Sequence, residues 1–438
     1  MSERSTLSRR TLLKCSGMVV GSAALFSSLP DILTACDNTP STTATASQPV
    51  KLRFSMLQDP GEIKNAKALG SAFSKLYPHV SFSYEPVAGT YDQKILTEAA
   101  GGTLADVFWI ADVLVPEFAS KGIMLELDTQ FTQDKVNIGN IYPSMLGLAK
   151  YNGKLYAVPR DYNHVVTYYN QDAFSKAGLA APSMNWTYTD FLTACEALVT
   201  KGGMKYALNL DIWWATYVPF VRGFGGDMLS SDGKSVLFTS PQALAGLQAL
   251  TDLVAKGYAV NPANPPTNDP FEAGDAAMNW SVRPVDSSYQ QSIGNKFAWN
   301  VTRFPKMPQK PVIGAGMSGY AVSAQSQHTQ WAVKFLEYII SPAGQRIFEA
   351  TGNSVPVLES LQTDSTWLSL PRPGFNNQAF FYDYQDDTLP PNVPASITTT
   401  YNNAINDAFT KVYLKKASVK DAFTAAANTI NSALSSAS

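Results

Sequence analysis

The chain has 438 residues, with 33 basic and 35 acidic side chains and a formal net charge of −2. This balance offers no basic surface for nucleic acid, and the length is that of two or three domains. Three isolated cysteines and three scattered histidines exclude a disulfide framework and the ligand spacing of a zinc finger. The composition is that of a weakly charged globular protein for which we predict no metal ion and no other cofactor.

The start of the chain has the pattern of an export signal. A basic stretch that contains Arg9 and Arg10 precedes an apolar run over residues 15–29, which is shorter than a membrane span. Residues 8–14 resemble a twin-arginine signal, and a general secretory signal is the alternative. We therefore expect residues 1–35 to be a signal peptide.

A lipidation signal follows directly. Residues 33–36 (LTAC) resemble a lipobox, in which the final cysteine becomes lipid-modified, and this cysteine is Cys36. Several acyl chains on one residue give a durable membrane anchor, whereas a single chain gives a marginal one. Residues 36–49 are rich in Ser, Thr and Ala and have the composition of a flexible tether. These signals predict a lipoprotein on the outer face of a bacterial cytoplasmic membrane.

The mature chain alternates between predicted strands and helices. Period-two alternation, helical spacing and one continuous apolar run predict, in order, a strand, a helix, a strand, a helix and a buried strand, over residues 50–56, 61–76, 80–84, 91–100 and 105–110. This order is typical of a doubly wound α/β unit. Later segments have helical spacing at 188–201, 241–256, 329–340, 342–350 and 401–412.

The topology also indicates where a ligand binds. In open α/β sheets, ligands lie beyond the carboxyl ends of the strands. Trp109 and Asp112 occupy this position after the third predicted strand. They are therefore candidate site residues, and a core tryptophan with a helix-capping aspartate is the alternative.

Five segments in order along the chain resemble the extracellular solute-binding proteins of ABC importers, in the group that takes up sugars. They are TYDQK…DVFW (90–109), NGKLYAVP…YN…AFSKAG (152–178), WTYTDF (186–191), FEAGDAAM (271–278) and YAVS…SP (320–342). The resemblance implies a sugar-binding subunit that is not an enzyme. It also implies a partner permease in the membrane and a monomeric protein.

The same resemblance implies a fold of two α/β lobes, joined by hinge strands and separated by a cleft that closes on the solute. We expect the first lobe to comprise residues 50–162 and 304–353. We expect the second lobe to comprise residues 163–303 and 354–438.

Candidate ligand contacts follow from the resemblance and from sugar chemistry. Sugar rings stack on aromatic faces, and their hydroxyls pair with carboxylates and amides. Trp109 and Asp112 match the family's aromatic and acidic residues at one corner of the cleft. Asn163, just after the NGKLYAVP motif, matches a polar contact, and Asp161 is its neighbour.

The second lobe supplies further candidates. Trp213 and Trp214 follow a predicted strand, and an extended chain would direct only one of them into the cleft. Trp280 and Arg283 follow the FEAGDAAM segment. Tyr382 lies in the aromatic segment 374–384, for which core packing is the alternative.

The remaining candidates flank predicted strands. Gly316 and Met317 precede the strand at 320–322, where small residues let backbone groups approach a ligand. Asp59 and Glu62 follow the first strand, and capping of the next helix is the alternative for Asp59.

One segment departs from the family pattern. PNVP (391–394) resembles that of maltodextrin binders, but the stacking tryptophan that follows in those proteins is absent, and Tyr401 is a partial substitute. The resemblance therefore does not extend to long linear glucans. The alternative functions are binding of a non-sugar solute (a polyamine, a phosphate ester or a metal such as ferric iron) and an exported glycoside hydrolase, which needs a carboxylate pair.

Overall fold

A computed structural model describes residues 48–352, 354–370, 374–380 and 384–437. The strands, in chain order, are β1 (Val50–Leu57), β2 (Val80–Val87), β3 (Val107–Ala111), β4 (Lys150–Tyr151), β5 (Lys154–Leu155), β6 (Ala157–Pro159), β7 (Asn163–His164), β8 (Val166–Asn170), β9 (Tyr206–Asn209), β10 (Ala276–Ser281), β11 (Trp299–Arg303), β12 (Ile313–Gly316), β13 (Ser318–Val322) and β14 (Asp387–Thr388).

The α-helices, in the same order, are α1 (Pro60–Leu76), α2 (Tyr91–Ala100), α3 (Val115–Ser120), α4 (Asp128–Gln133), α5 (Pro143–Leu148), α6 (Gln171–Lys176), α7 (Tyr188–Thr200), α8 (Trp214–Gly223), α9 (Pro241–Ala255), α10 (Pro270–Ala273), α11 (Asp286–Ser292), α12 (Thr329–Ile339), α13 (Pro342–Thr351), α14 (Ser365–Leu368), α15 (Thr398–Tyr413) and α16 (Val419–Ala437). Among the described residues, no helix is both long enough and apolar enough to cross a membrane.

The first lobe is built on a five-stranded sheet with the order β2-β1-β3-β13-β6. β1 runs parallel to β2 and β3, whereas β13 is antiparallel to β3 and β6. Helices α1 and α12 bury their apolar faces against this sheet, where the rings of Phe54, Phe73 and Phe335 meet edge to face. The alternating pattern predicted at the start of the chain thus becomes a parallel α/β unit, with α1 and α12 on one face of the sheet and α2 on the other, where Tyr91 contacts Ser55.

The second lobe is built on a four-stranded sheet with the order β11-β8-β10-β9. Helix α7 begins at a capping box, in which Thr187 and Asp190 satisfy each other's backbone N–H groups. Cys195 on this helix is fully buried. Helices α15 and α16 pack against each other and against α9, and they complete the second core.

A small third sheet, with the order β14-β12-β7, joins the two lobes. β7 lies between β6 of the first lobe and β8 of the second, and β12 precedes β13 with one residue between them. The chain therefore passes between the lobes along two neighbouring strands of this hinge sheet.

The packing at the lobe boundaries differs from the division expected from the sequence. Phe304, Met307 and Val312 belong to the second core, so the chain reaches the first lobe only at β12 and β13, rather than at residue 304. The residues that follow α13 stay against the hinge and the first lobe, because the carbonyl of Val355 accepts the backbone N–H of Tyr162 at 3.1 Å. Residues 1–35, Cys36 and the tether up to residue 47 lie outside the described residues.

Candidate ligand-binding site

A cavity of about 600 Å³ lies between the two lobes, and we call it the interlobe cavity. One wall comes from the first lobe, at Asp112, Val113, Pro116, Gly147, Leu148 and Lys150. The other comes from Ile212, Trp213, Trp214 and Tyr217, from residues 389–393, and from Thr398, Tyr401, Asn402, Ile405 and Asn406 of α15. The volume is within the range of about 300–1,000 Å³ that is usual for small-molecule sites.

Asp112 reaches the cavity because β3 ends at Ala111 and a 3₁₀ turn follows at once. Its carboxylate accepts the backbone N–H of Val113 at 2.7 Å and that of Met317 at 3.0 Å. Burial nevertheless dominates and raises the pKa of Asp112 to about 7, with a smaller contribution from the nearby charge of Asp161. At neutral pH this side chain can both donate and accept hydrogen bonds.

This raised pKa predicts an unusual pH dependence of stability. The folded state holds a proton on Asp112 at pH values where the unfolded chain, with its usual pKa of 3.8, has released it. The stability of the wild type relative to Asp112→Asn should therefore be greatest below pH 4 and fall as the pH rises to about 7, by up to roughly 1.4 kcal/mol per pH unit. Urea unfolding of both proteins between pH 4 and 8 measures this difference, and a constant difference would contradict the prediction.

Gly316 is a glycine because of its neighbours. A Cβ atom at this position would lie 2.2 Å from Oδ2 of Asp112 and 2.9 Å from Cζ2 of Trp214. The absence of a side chain therefore lets a first-lobe carboxyl and a second-lobe indole approach the same point of β12. The sequence predicts that small residues here let a ligand approach the backbone, whereas the structure places Asp112 and Trp214 there.

Both adjacent tryptophans line the interlobe cavity, although an extended chain predicts only one of them there. Trp213 has extended dihedral angles and caps α8, whereas Trp214 is the first helical residue. The chain turns between them, so their rings meet edge to face with centroids 5.6 Å apart. Two indole faces of different orientation are thus available within one site.

The part of the second wall that residues 389–393 and α15 form was not among the predicted site residues, apart from Tyr401 and the PNVP segment, which the sequence analysis compared with maltodextrin binders. Residues 389–393 (LPPNV) precede α15, and Asn402 and Asn406 follow one exposed edge of that helix at a spacing of four. This spacing was visible in the sequence. However, only the packing of α15 brings this face to the cavity. Lys150 also lines the cavity, but it lies in the two-residue strand β4, which has no recognisable pattern in the sequence.

Two predicted acidic contacts lie instead in a buried network. Arg160 is 2 % exposed, and its guanidinium pairs with Glu62 and, at 3.1 Å, with Asp161. Asp161 also accepts the backbone N–H of Ser318 at 2.7 Å and the side-chain amide of Asn163 at 2.8 Å. These carboxylates therefore hold α1, β6 and β13 together, and neither lines the interlobe cavity.

The remaining predicted contacts also lie outside the interlobe cavity. Asp59 caps α1 by accepting the N–H of Glu62 at 3.0 Å, which confirms the capping alternative. Trp109 is half-buried and packs edge to face on Tyr91. Trp280 is 2 % exposed within the second core.

Arg283 is fully buried, and its contacts are all internal. It lies over the ring of Trp367 at 4.3 Å, pairs with Asp286 at 3.0 Å and donates to the carbonyl of Gly352 at 2.9 Å. Tyr382 lies outside the described residues.

Comparisons with known proteins agree with this architecture. The family model for the bacterial extracellular solute-binding protein matches residues 59–346, which is more than half of the chain. The chain belongs to the bacterial extracellular solute-binding protein family. For a solute-binding protein of this family, an interlobe cavity is the expected position of the solute site.

Solved structures share the fold of this solute-binding protein. An ABC substrate-binding protein from Listeria monocytogenes, in complex with cycloalternan, superposes with a TM-score of 0.81 at 23% identity and covers 89% of this chain and 100% of its own. The GacH receptor of Streptomyces glaucescens, solved unliganded and with acarbose, has a TM-score of 0.77 at 20% identity over 88% of this chain and 99% of its own. An uncharacterized lipoprotein of Streptomyces antibioticus is 22% identical over 318 residues, 68% of each chain.

Proposed function

We propose that this protein captures a sugar, a mono- or oligosaccharide, in the interlobe cavity and delivers it to the membrane permease of an ABC transporter. The observation that carries the proposal is the pairing of two indole rings with a buried carboxyl group and several amides in one cavity. Indole faces match the C–H faces of sugar rings, and Asp112, Asn402 and Asn406 match their hydroxyls. Among the structurally similar proteins, some were solved with carbohydrate ligands such as cycloalternan and acarbose, which supports the same class of solute here, and one was solved with glycerophosphocholine.

The charge of the cavity favours a neutral solute. Among the described residues that line it, Asp112 is the sole carboxyl group and Lys150 the sole ammonium group. A polyamine needs several carboxylates, and a phosphate ester needs more than one cation. Ferric iron would need hard oxygen ligands such as Tyr168 and Tyr169, but both side chains are buried, and Tyr168 donates to Asp286.

The same lining argues that the protein is not an enzyme. Glycoside hydrolysis uses two carboxyl groups on opposite sides of the scissile bond. The interlobe cavity has one carboxyl group, that of Asp112, among its described lining residues. The carboxylates of Glu62 and Asp161 form ion pairs with Arg160. We therefore expect binding without turnover, which chromatography of the recovered sugar after long incubation tests.

We also propose the cellular setting that the N-terminal signals indicate. Residues 1–35 direct export, by the twin-arginine or the general secretory route, and Cys36 anchors the mature monomer to the outer face of the cytoplasmic membrane. Residues 36–49 are the tether, and the lobes follow from residue 50 onwards. The variant Cys36→Ser should shift the protein from the membrane fraction to the soluble fraction without changing its affinity for sugar.

Transport requires that the solute change the arrangement of the lobes. A ligand that contacts Asp112 on the first lobe and Trp214 on the second binds the closed arrangement more tightly than an open one, and so shifts the population towards closure. A micromolar dissociation constant corresponds to about −8 kcal/mol. Two ring contacts and a few hydrogen bonds are sufficient for this value after the cost of closure.

A titration monitored by tryptophan fluorescence tests the proposal. Trp213 and Trp214 line the cavity, so a bound sugar should change their emission. The panel contains glucose, galactose and mannose with their di- and trisaccharides, together with spermidine and glycerol 3-phosphate as the charged alternatives. Saturable binding of a sugar supports the proposal, and binding of only a charged compound, or of none, contradicts it.

Gly316→Ala tests the geometry of the site. The added methyl group must displace the carboxyl of Asp112 or the ring of Trp214, at a cost of about 1–3 kcal/mol. We expect at least tenfold weaker binding of the best sugar of the panel, measured by isothermal titration calorimetry. Gly101→Ala is the matched control, because its nearest non-neighbouring atom is 3.4 Å away, and equal affinities of the two variants would contradict the assignment.

A further inference from the structure

The outward face of α1, on the first lobe, carries three lysines and no carboxylate. Lys64, Lys67 and Lys75 are exposed, and their spacing places them on one side of the helix. None of them forms an ion pair with the described residues. Glu62, the acidic residue of α1, is buried and pairs with Arg160. Because the chain as a whole has a net charge of −2, this lysine face is a local concentration of positive charge.

The last turn of α1 leads into an exposed apolar region. Leu76 is 60 % exposed, more than any other large hydrophobic residue in the described part of the chain. Pro78 is also exposed, and Tyr77 is half-buried. Trp331, near the start of α12, packs edge to face on Tyr77, with ring centroids 5.1 Å apart. We call these four residues the apolar tip, and their combination with neighbouring lysines is typical of protein surfaces at a membrane interface.

The first strand begins beside the apolar tip. The backbone N–H of Val50 donates to the carbonyl of His79 at 2.8 Å, and the ring of His79 packs on that of Trp331. Cys36 precedes Val50 by 14 residues, and a chain of this length spans at most about 50 Å. An anchor at Cys36 therefore keeps the tip within reach of the membrane. A flexible tether does not determine which side of the protein faces the membrane, so a surface contact has to do so.

Contact at the apolar tip does not cover the interlobe cavity. β1 runs parallel to β2 and β3, and the tip lies at the amino ends of β1 and β2. Asp112, by contrast, follows the carboxyl end of β3. The tip and the cavity therefore lie at opposite ends of the first-lobe sheet.

A second group of lysines, on the other lobe, provides a comparison. Lys415, Lys416 and Lys420 are exposed near the junction of α15 and α16, next to Leu414, which is 42 % exposed. The exposed carboxylate of Asp421 directly follows Lys420 in the chain and offsets part of this charge. This group matches the lysine face in its number of lysines and in having an exposed leucine, so it is a suitable control.

We propose that the lysine face and the apolar tip form a surface that binds the anionic lipids of the membrane to which the protein is anchored. The lysines pair with lipid phosphate groups, and Leu76 and Trp331 enter the interfacial region. Exposed apolar side chains beside unpaired cations favour a lipid surface over an acidic protein, because lipid offers both phosphate groups and an apolar layer. The inference goes beyond the proposed function and takes from it only the anchor at Cys36.

Quenching of tryptophan fluorescence by brominated lipids tests the contact. The lipidated protein is reconstituted in vesicles of brominated phosphatidylcholine, either alone or mixed with phosphatidylglycerol. The part of the quenching that Trp331→Phe removes reports on the apolar tip. It should be present in the anionic vesicles and much weaker in the neutral ones, and it should decrease as the salt concentration rises.

A triple variant tests whether the lysine face carries the contact. It combines Lys64→Gln, Lys67→Gln and Lys75→Gln. Each lysine near an anionic surface contributes about fivefold to the affinity. The equilibrium constant for contact, taken from the quenched fraction, should therefore fall by about tenfold or more.

The matched control combines Lys415→Gln, Lys416→Gln and Lys420→Gln. It removes the same charge from the second lobe and should leave the quenching unchanged. Neither triple variant should change the affinity for sugar, because none of these lysines lines the interlobe cavity.

The possible results separate this inference from the proposed function. Equal quenching through Trp331 in neutral and anionic vesicles, or an equal loss in both triple variants, would show that the lysine face does not recognise the membrane. Absence of this quenching from anionic vesicles would also overturn the proposal and would leave an acidic protein as the partner of the lysines. The proposed function fails on a different result, which is the lack of sugar binding, and the anchor fails if Cys36→Ser stays in the membrane fraction.

Discussion

Replacing Trp214 with alanine is expected to weaken sugar binding by about a hundredfold. The indole lines the interlobe cavity, and its ring lies against Gly316 beside the carboxyl of Asp112. Its loss removes one stacking face and lets water reach a buried carboxyl group. Truncating a tryptophan at the centre of a binding site typically costs about 2 kcal/mol or more of binding free energy. A loss of about 2.7 kcal/mol raises the dissociation constant about a hundredfold.

Calorimetry is the appropriate measurement, because the substitution also removes a fluorescent reporter. Trp331→Ala is the matched control. The ring of Trp331 packs on that of His79 in the first lobe, with the ring centroids 4.5 Å apart, and Trp331 does not line the interlobe cavity. It should lower the melting temperature and leave affinity unchanged. Trp214→Phe should give an intermediate affinity. Affinity retained in Trp214→Ala would overturn the assignment of the site.

Replacing Arg160 with methionine is expected to destabilise the protein by about 3–5 kcal/mol. The guanidinium is 2 % exposed and compensates the carboxylates of Glu62 and Asp161. Methionine fills most of the volume but leaves two buried negative charges without a cation. Removing one partner of a buried ion pair has a cost of this size, because desolvation of the remaining charge is no longer offset.

Urea unfolding measures the loss, and Lys205→Met provides the control. Lys205 pairs with Asp275 at 3.5 Å in an exposed position, so its removal should cost less than about 1 kcal/mol. The double variant Arg160→Met with Glu62→Gln should recover part of the stability, because one uncompensated charge is removed. Equal losses in Arg160→Met and Lys205→Met would show that the buried network does not hold these elements together.

The elements that could be predicted are those with a strong local pattern. The helices expected at 91–100, 241–256 and 342–350 correspond to α2, α9 and α13 within one residue at either end. Of the described helices with ten or more residues, two were not predicted. α8 contains Pro219 in its interior, a residue that usually ends a helix. α16 has its buried residues at helical spacing, but most of them are alanines, so a search for large apolar side chains passes over it.

Part of the candidate site could also be predicted from local sequence patterns. Asp112 follows directly on a buried strand, and Trp213 and Trp214 follow closely on another, so strand ends alone indicated these positions. Tyr401 was indicated by the resemblance, but the rest of the wall formed by α15 could not be inferred, because it depends on a segment almost 300 residues away from Asp112 in the chain. Local spacing does not determine which face of a distant helix closes a cavity.

The sequence by itself determined the α/β class, and it predicted the export and lipidation signals and the residue types suited to a neutral, hydroxyl-rich solute. Only the tertiary structure decided which charged groups are available to that solute. Glu62, Asp161 and Arg283 have the same chemistry as ligand contacts, but each is compensated by a partner distant in sequence or buried beside it. The low overall charge of the chain does not reveal this, because the energy of a charge depends on its burial and on its neighbours, which the folded chain alone defines.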